Sequence, residues 1–137
     1  MREFLLDTCA AIWFSEGAGF TPEAAEAFEQ AAEGTSRILV SPITAWEMGL
    51  LVSRGRYSAA IDISKWLDLL VERGGFVLAG MPPRVLAQSS LLPGRIHGDP
   101  ADRIIVATAR EFGHVIITRD CRILAYAEKG FVKALKC

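Results

Sequence analysis

Short runs that are apolar at every position recur along this chain, and each stops abruptly. Phe4-Leu5-Leu6 ends at Asp7, Ile38-Leu39-Val40 at Ser41, and Val115-Ile116-Ile117 at Thr118. A strand with one wet face alternates apolar and polar residues, so unbroken runs predict strands buried on both faces. Parallel sheets covered by helices on both sides have that property. Helix signals fill the intervals. Thr21-Pro22-Glu23 joins a capping hydroxyl, a proline suited to the first helical position and a first-turn acid, predicting a helix to Glu33 that Gly34 ends. Ser41-Pro42 opens a helix carrying Glu47, and another, with Trp66, Leu67, Leu69, Leu70 and Val71, ends at Gly74-Gly75. Pro82-Pro83 starts a further helix, and Asp99-Pro100 opens one that Gly113 closes. With Phe76 to Leu78 and Val132 to Leu135 as additional strands, the chain is predicted to be α/β, a three-layer α/β/α arrangement around a mostly parallel sheet of about five strands.

At 137 residues, with no repeat, linker or low-complexity stretch, residues 1–137 are expected to form a single domain. A content of 51% hydrophobic and 23% charged residues argues for an ordered globular chain and against disorder. The formal charge of −1 gives no global basic signature for nucleic acid. That excludes little, because clustered acids cancel arginines in the sum while acting at a different place. No apolar run approaches the ~20 residues of a membrane span, and Asp7 interrupts the first one before it resembles a secretory signal. Cys9, Cys121 and Cys137 are odd in number and lack metal-ligand spacing, which fits reduced thiols in a cytoplasmic protein.

In open α/β sheets, ligands bind at the carboxyl ends of the strands, where Asp7 and Asp120 lie. An acid on an apolar element must find a partner or change its pKa. Several acids aimed at one place repel, by roughly 4 kcal/mol per pair at about 4 Å and an effective dielectric of about 20. A hard divalent cation removes that repulsion, since Mg²⁺ and Mn²⁺ prefer carboxylate and water oxygens.

Each acid also has a plainer role open to it. Asp7 precedes Thr8-Cys9-Ala10-Ala11 and can cap a helix, as can Thr8. Glu47, the one charged residue between Arg37 and Arg54, has Ile43, Thr44, Leu50 and Leu51 one turn away and could pair with a distant arginine. Asp99-Pro100-Ala101-Asp102 is a natural helix start, so for Asp99 capping outweighs metal binding. Asp102, one turn in, shares roughly the same face and is favoured there by the helix dipole. Asp120 can cap a following helix, and Thr118 can orient Asp120 or a water on an ion, or simply pack in its strand.

Other chemistries find less support. His97 has no second histidine at ligand spacing, so zinc is not expected. Ser-His-Asp catalysis lacks a nucleophile elbow. Cys9 and Cys121 are read as small buried packing residues in preference to cavity-lining ones, and Trp13, Trp46 and Trp66 as core rather than base-stacking platforms. Arg103, Arg119 and Arg122 stand beside the acids, able to grip phosphates or to remain as solvated surface charge.

Four segments together carry a family resemblance. They are Leu5-Leu6-Asp7-Thr8, Ser41-Pro42-Ile43-Thr44-Ala45-Trp46-Glu47, His97-Gly98-Asp99-Pro100-Ala101-Asp102-Arg103 and Ile117-Thr118-Arg119-Asp120. On these the chain resembles the PIN-domain nucleases, and among them the VapC-type toxins of bacterial toxin–antitoxin pairs. The resemblance implies an acidic constellation at Asp7, Glu47, Asp102 and Asp120, with Asp99 as a frequent extra acid and Thr118 as the hydroxyl before the last. Arg103 is implied only as a supporting residue. It also implies RNA cleavage dependent on Mg²⁺ or Mn²⁺, a small antitoxin partner and a second copy of the chain. Ile61, Ile63, Trp66, Leu67 and Leu70 exceed one core-facing stripe, so the exposed apolar residues between Ala59 and Val71 are the expected surface for either partner. Cys9 departs from the family, where histidine often follows Asp-Thr.

Rival classes fit less well. A receiver-type signalling domain needs paired acids after its first strand and a lysine near its last. Asp7 stands alone, and no lysine lies between Lys65 and Lys129. A phosphatase with an aspartyl nucleophile wants a second Asp where Cys9 stands. A DNA-cutting or RNA-processing PIN nuclease and a catalytically silent binding module remain as alternatives.

Overall fold

The computed structural model describes residues 1–137. The chain runs β1 (Arg2–Leu6), α1 (Thr8–Ser15), α2 (Pro22–Ala32), β2 (Ser36–Val40), α3 (Ile43–Ser53), α4 (Ile63–Gly74), β3 (Val77–Leu78), α5 (Pro83–Ser89), α6 (Pro100–Phe112), β4 (Val115–Thr118), α7 (Cys121–Glu128) and β5 (Lys133–Lys136). All strand pairs are parallel, in the order β3-β2-β1-β4-β5. Every crossover in such a sheet must carry the chain back over a face, which is why helices cover both sides.

The unbroken apolar runs are divided between two cores. Phe4 and Leu6 pack with Ala10, Ala24, Trp66 and Leu70 on one face, whereas Leu5 packs with Ile105, Val106, Ile123 and Tyr126 on the other. Helix α3 serves both, with Met48 in the first core and Ile43 in the second. Glycines Gly75 (φ 65°) and Gly113 (φ 73°) end α4 and α6 in the left-handed conformation that a residue without Cβ adopts freely.

Register decides where the functional end lies. Leu6 is level with Val40 of β2 and with Ile117 of β4. The next residues, Asp7, Ser41 and Thr118, therefore emerge side by side at one edge. Between β1 and β4 the strand order reverses, since β2 and β3 lie to one side and β4 and β5 to the other. A crevice opens at such a reversal because successive crossovers leave in opposite directions.

Some expectations need correction. Trp66, Leu67 and Leu70 are core residues, so the surplus apolar stripe of α4 shrinks to Ile61, Ile63 and their neighbours. Phe14, Tyr57, Ile61, Trp66 and Leu69 line a groove of about 300 Å³ there. Trp46, expected in the core, is 50% exposed, because α3 is apolar nearly all round and cannot bury every face. Strand β5 starts at Lys133 rather than Val132, placing a lysine at each end of an edge strand, where charge discourages pairing with another chain. No helix is long and apolar enough to cross a membrane.

Candidate metal centre

Asp7 follows β1, and its backbone N–H still pairs with the Ile117 carbonyl at 3.2 Å. The side chain caps α1: Oδ1 accepts from the Ala10 N–H at 2.8 Å, and Oδ2 accepts from the Thr118 hydroxyl. Thr118 Oγ1 in turn accepts from the Asp120 N–H at 2.9 Å, so one buried hydroxyl ties the ends of both acid-bearing segments together. Asp7 is only 3% exposed, and neither it nor Glu47 takes part in an ion pair. Burial, opposed by the Thr118 and Ala10 hydrogen bonds and reinforced by the charges of Asp102 and Asp120, pushes the Asp7 carboxyl up to about 6.

Glu47 reaches the same place from α3. The Thr8 hydroxyl donates to Glu47 Oε1 and lies 3.2 Å from the Thr44 hydroxyl. Thr8 has one proton, so Thr44 is the donor of that second bond. Burial pushes Glu47 up to about 7, against the Thr8 hydrogen bond and aided by Asp102, Asp99 and Asp7. Asp102 sits in the first turn of α6 and is also raised, chiefly by burial, against the hydrogen bond from His97 and with Asp99 adding repulsion.

Asp120 differs. Burial works against its charge too, but the Arg122 guanidinium and the N–H groups of Arg122 and Ile123 outweigh it, and its pKa falls below the usual range. Asp120 caps α7 and pairs with Arg122 at 3.0 Å. Asp99 caps α6 by accepting the Asp102 N–H at 3.1 Å. Capping does not exclude metal binding at any of these positions, since each carboxylate has about four acceptor sites and capping uses few of them.

Ligand atoms of His97, Asp102 and Asp120 lie within 4.8 Å of one another. Cys9 registers the wider cluster. The protein packed around its sulfur, then the charges of Asp7, Asp102, Glu47 and Asp120, push its thiol up to about 12. Four carboxylates that act on one sulfur, two of them outside any ion pair, form an electronegative pocket of oxygen donors. That chemistry fits a hard divalent ion.

Residues 4–129 match the PIN domain family. This chain belongs to that family. It is 36% identical to Ribonuclease VapC22 of Mycobacterium tuberculosis, over 92% of this chain and 93% of that one. VapBC2 from Rickettsia felis, solved bound to a DNA fragment from their promoter, superposes with a TM-score of 0.70 at 15% identity, over 98% of both chains. FitAcB from Neisseria gonorrhoeae gives 0.51 at 20% identity, over 96% of both chains. These two likenesses concern the fold.

Several side chains of this PIN domain do other work than the sequence suggested. Arg103 donates to the carbonyls of Ser89 (2.8 Å), Ile96 (3.3 Å) and His97 (3.4 Å), so it fastens a loop and is neither a free phosphate grip nor solvated charge. Arg119 stacks 4.0 Å over Trp13 and donates to the carbonyls of Cys137 and Gly19, both at 2.7 Å. Cys9 and Cys121 are exposed, not buried, because each follows a capping acid in a first helical turn at the open edge. The sequence argues against His97 as a zinc ligand and gives no sign of its contact with Asp102. Thr8 and Thr44 were missed as well. Their signal was a threonine directly after Asp7 and another one turn before Glu47.

Proposed function

We propose that this chain is a divalent-metal-dependent endoribonuclease, the toxin of a toxin–antitoxin pair, working in the cytoplasm with residues 1–137 as one nuclease domain. The observation that carries it is Asp7: a carboxylate buried at the switch point, with one hydrogen bond to each oxygen and its charge unanswered by any protein cation. The 36% identity to a protein named a ribonuclease supports RNA as the substrate. In this reading Asp7, Asp102 and Asp120 hold the ion directly, Glu47 directly or through water, and Asp99 caps α6. Mg²⁺ or Mn²⁺ suits these oxygen donors. A divalent ion held there would supply positive charge to the scissile phosphate and lower the pKa of water.

The protein's own contributions are positional. Thr118 fixes Asp7 relative to Asp120, and the Thr44–Thr8 pair aims Glu47 into the same pocket. No side chain needs to act as a nucleophile. The family also supports an antitoxin partner, and the groove beside Ile61 is the surface we assign to antitoxin or to a second copy.

The test is cleavage of labelled RNA and of DNA of the same sequence, with Mg²⁺, Mn²⁺ or EDTA. Metal-dependent cuts in RNA that vanish with EDTA and in Asp7→Asn are expected. Cleavage confined to DNA, or RNA cleavage unaffected by EDTA, overturns the reading.

A further inference from the structure

Asp102 is gripped by the loop that precedes it. His97 Nε2 lies 2.7 Å from Asp102 Oδ2, and both side chains are nearly enclosed, at 11% and 15% exposure. The next residue, Arg103, points its guanidinium back at the carbonyls of Ser89, Ile96 and His97. The backbone of His97 is thus tied to Arg103 while its ring is tied to Asp102, a closed circuit of contacts around one carboxylate. The circuit leaves His97 Nδ1 buried without a hydrogen-bond partner.

A carboxylate only accepts, so Nε2 carries the proton and donates. With Oδ2 held, the carboxylate cannot rotate, and its remaining lone pairs stay aimed beside Asp120. The 2.7 Å separation is that of a charge-assisted hydrogen bond. Histidines that ligate metal also hand their other ring N–H to a partner, and Nδ1 has none.

We propose that His97, anchored by Arg103, is a positioning residue for the metal site, its Nε2–H fixing Asp102 so that the carboxylate meets the ion already ordered. This rests on the metal reading above. The test is Mn²⁺ binding to the purified chain, by calorimetry and by electron paramagnetic resonance, well below the melting temperature of each variant. His97→Leu removes the donor, whereas His97→Gln restores an N–H of similar reach. His97→Leu should weaken Mn²⁺ binding about 10- to 100-fold, the usual effect of losing an outer hydrogen-bond partner. His97→Gln should recover most of that loss. Arg103→Met, which keeps both side chains but frees the loop that carries the ring, should weaken binding in the same direction. Wild type that takes up no Mn²⁺ overturns the metal reading and this one with it. Equal affinity in wild type and His97→Leu overturns the positioning role alone. So does a coupling in wild type showing nitrogen bonded directly to Mn²⁺.

Discussion

Asp7 spends one carboxylate oxygen on the cap of α1 and the other on Thr118, so it is satisfied in hydrogen bonds while its charge stays unbalanced. Its carboxyl, ordinarily near 3.8, is held at about 6. Between those values the folded state binds more protons than the unfolded state. The stability it contributes is therefore complete below about 3.8 and is lost as pH rises through about 6. Glu47 acts in the same direction between about 4.5 and about 7. In the absence of metal, Asp7→Asn should thus raise stability at pH 8 by roughly 1–3 kcal/mol, a gain of several degrees in melting temperature, while abolishing RNA cleavage. A mutant melting well below the parent would show a structural role in its place. Asp99 and Asp102 separate more finely. Asn caps nearly as well as Asp, so Asp99→Asn should keep most activity, while Asp102→Asn should lose it along with metal affinity. Loss of Mn²⁺ affinity in Asp99→Asn alone would reverse the assignment. The acids could be picked out in the sequence because each interrupts an apolar element or opens a helix. The contact of His97 with Asp102 could not, since it depends on a loop path that no periodicity encodes.

Helices α1, α6 and α7 all begin on an aspartate; Asp7 feels the charges of Asp102 and Asp120, and Asp102 that of Asp120. Each N-terminus carries partial positive charge, which offsets some of the repulsion among the acids. Cap and metal roles can therefore be pulled apart at Asp120. Asp120→Asn should keep α7 capped and the fold unchanged while weakening Mn²⁺ binding. Asp120→Ala should lose the cap too, costing about 1 kcal/mol more in stability. Equal melting temperatures for the two variants would remove the cap from the account. Helix starts were legible because proline at the first turn and a capping side chain before it act locally, as at Thr21-Pro22 and Asp99-Pro100. The ends of β3 and β5 were not, because pairing with a neighbouring strand defines them. Helix α3 misled for another reason. With Glu47 as its one charge, its pattern names no solvent face, and the exposure of Trp46 follows from packing alone.

The molecule as a whole holds its acids in place at a cost that only appears in the metal-free state. Parallel pairing sets the ends of β1 and β4 level, two cores fix the sheet from both faces, and the acids at its edge inherit that rigidity. On the proposed metal reading the ion binds the folded chain and finds no counterpart in the unfolded one, so metal should stabilise the fold. At a free concentration of about 100 times Kd the gain is about 2.7 kcal/mol, several degrees in melting temperature for a chain of this size. With Asp7 and Glu47 as the proposed ligands, binding should also release protons, because carboxyls at about 6 and about 7 are partly protonated near neutral pH and a ligating carboxylate is not. The apparent affinity should therefore fall as pH drops through 7 and then 6, and the Mn²⁺-induced rise in melting temperature should be larger at pH 8 than at pH 5.5 at one metal concentration. Thermal denaturation with Mn²⁺ or EDTA at the two pH values measures this directly. A metal-induced shift that is absent at pH 8, or that grows as pH falls, would mean that the ion does not engage Asp7 and Glu47.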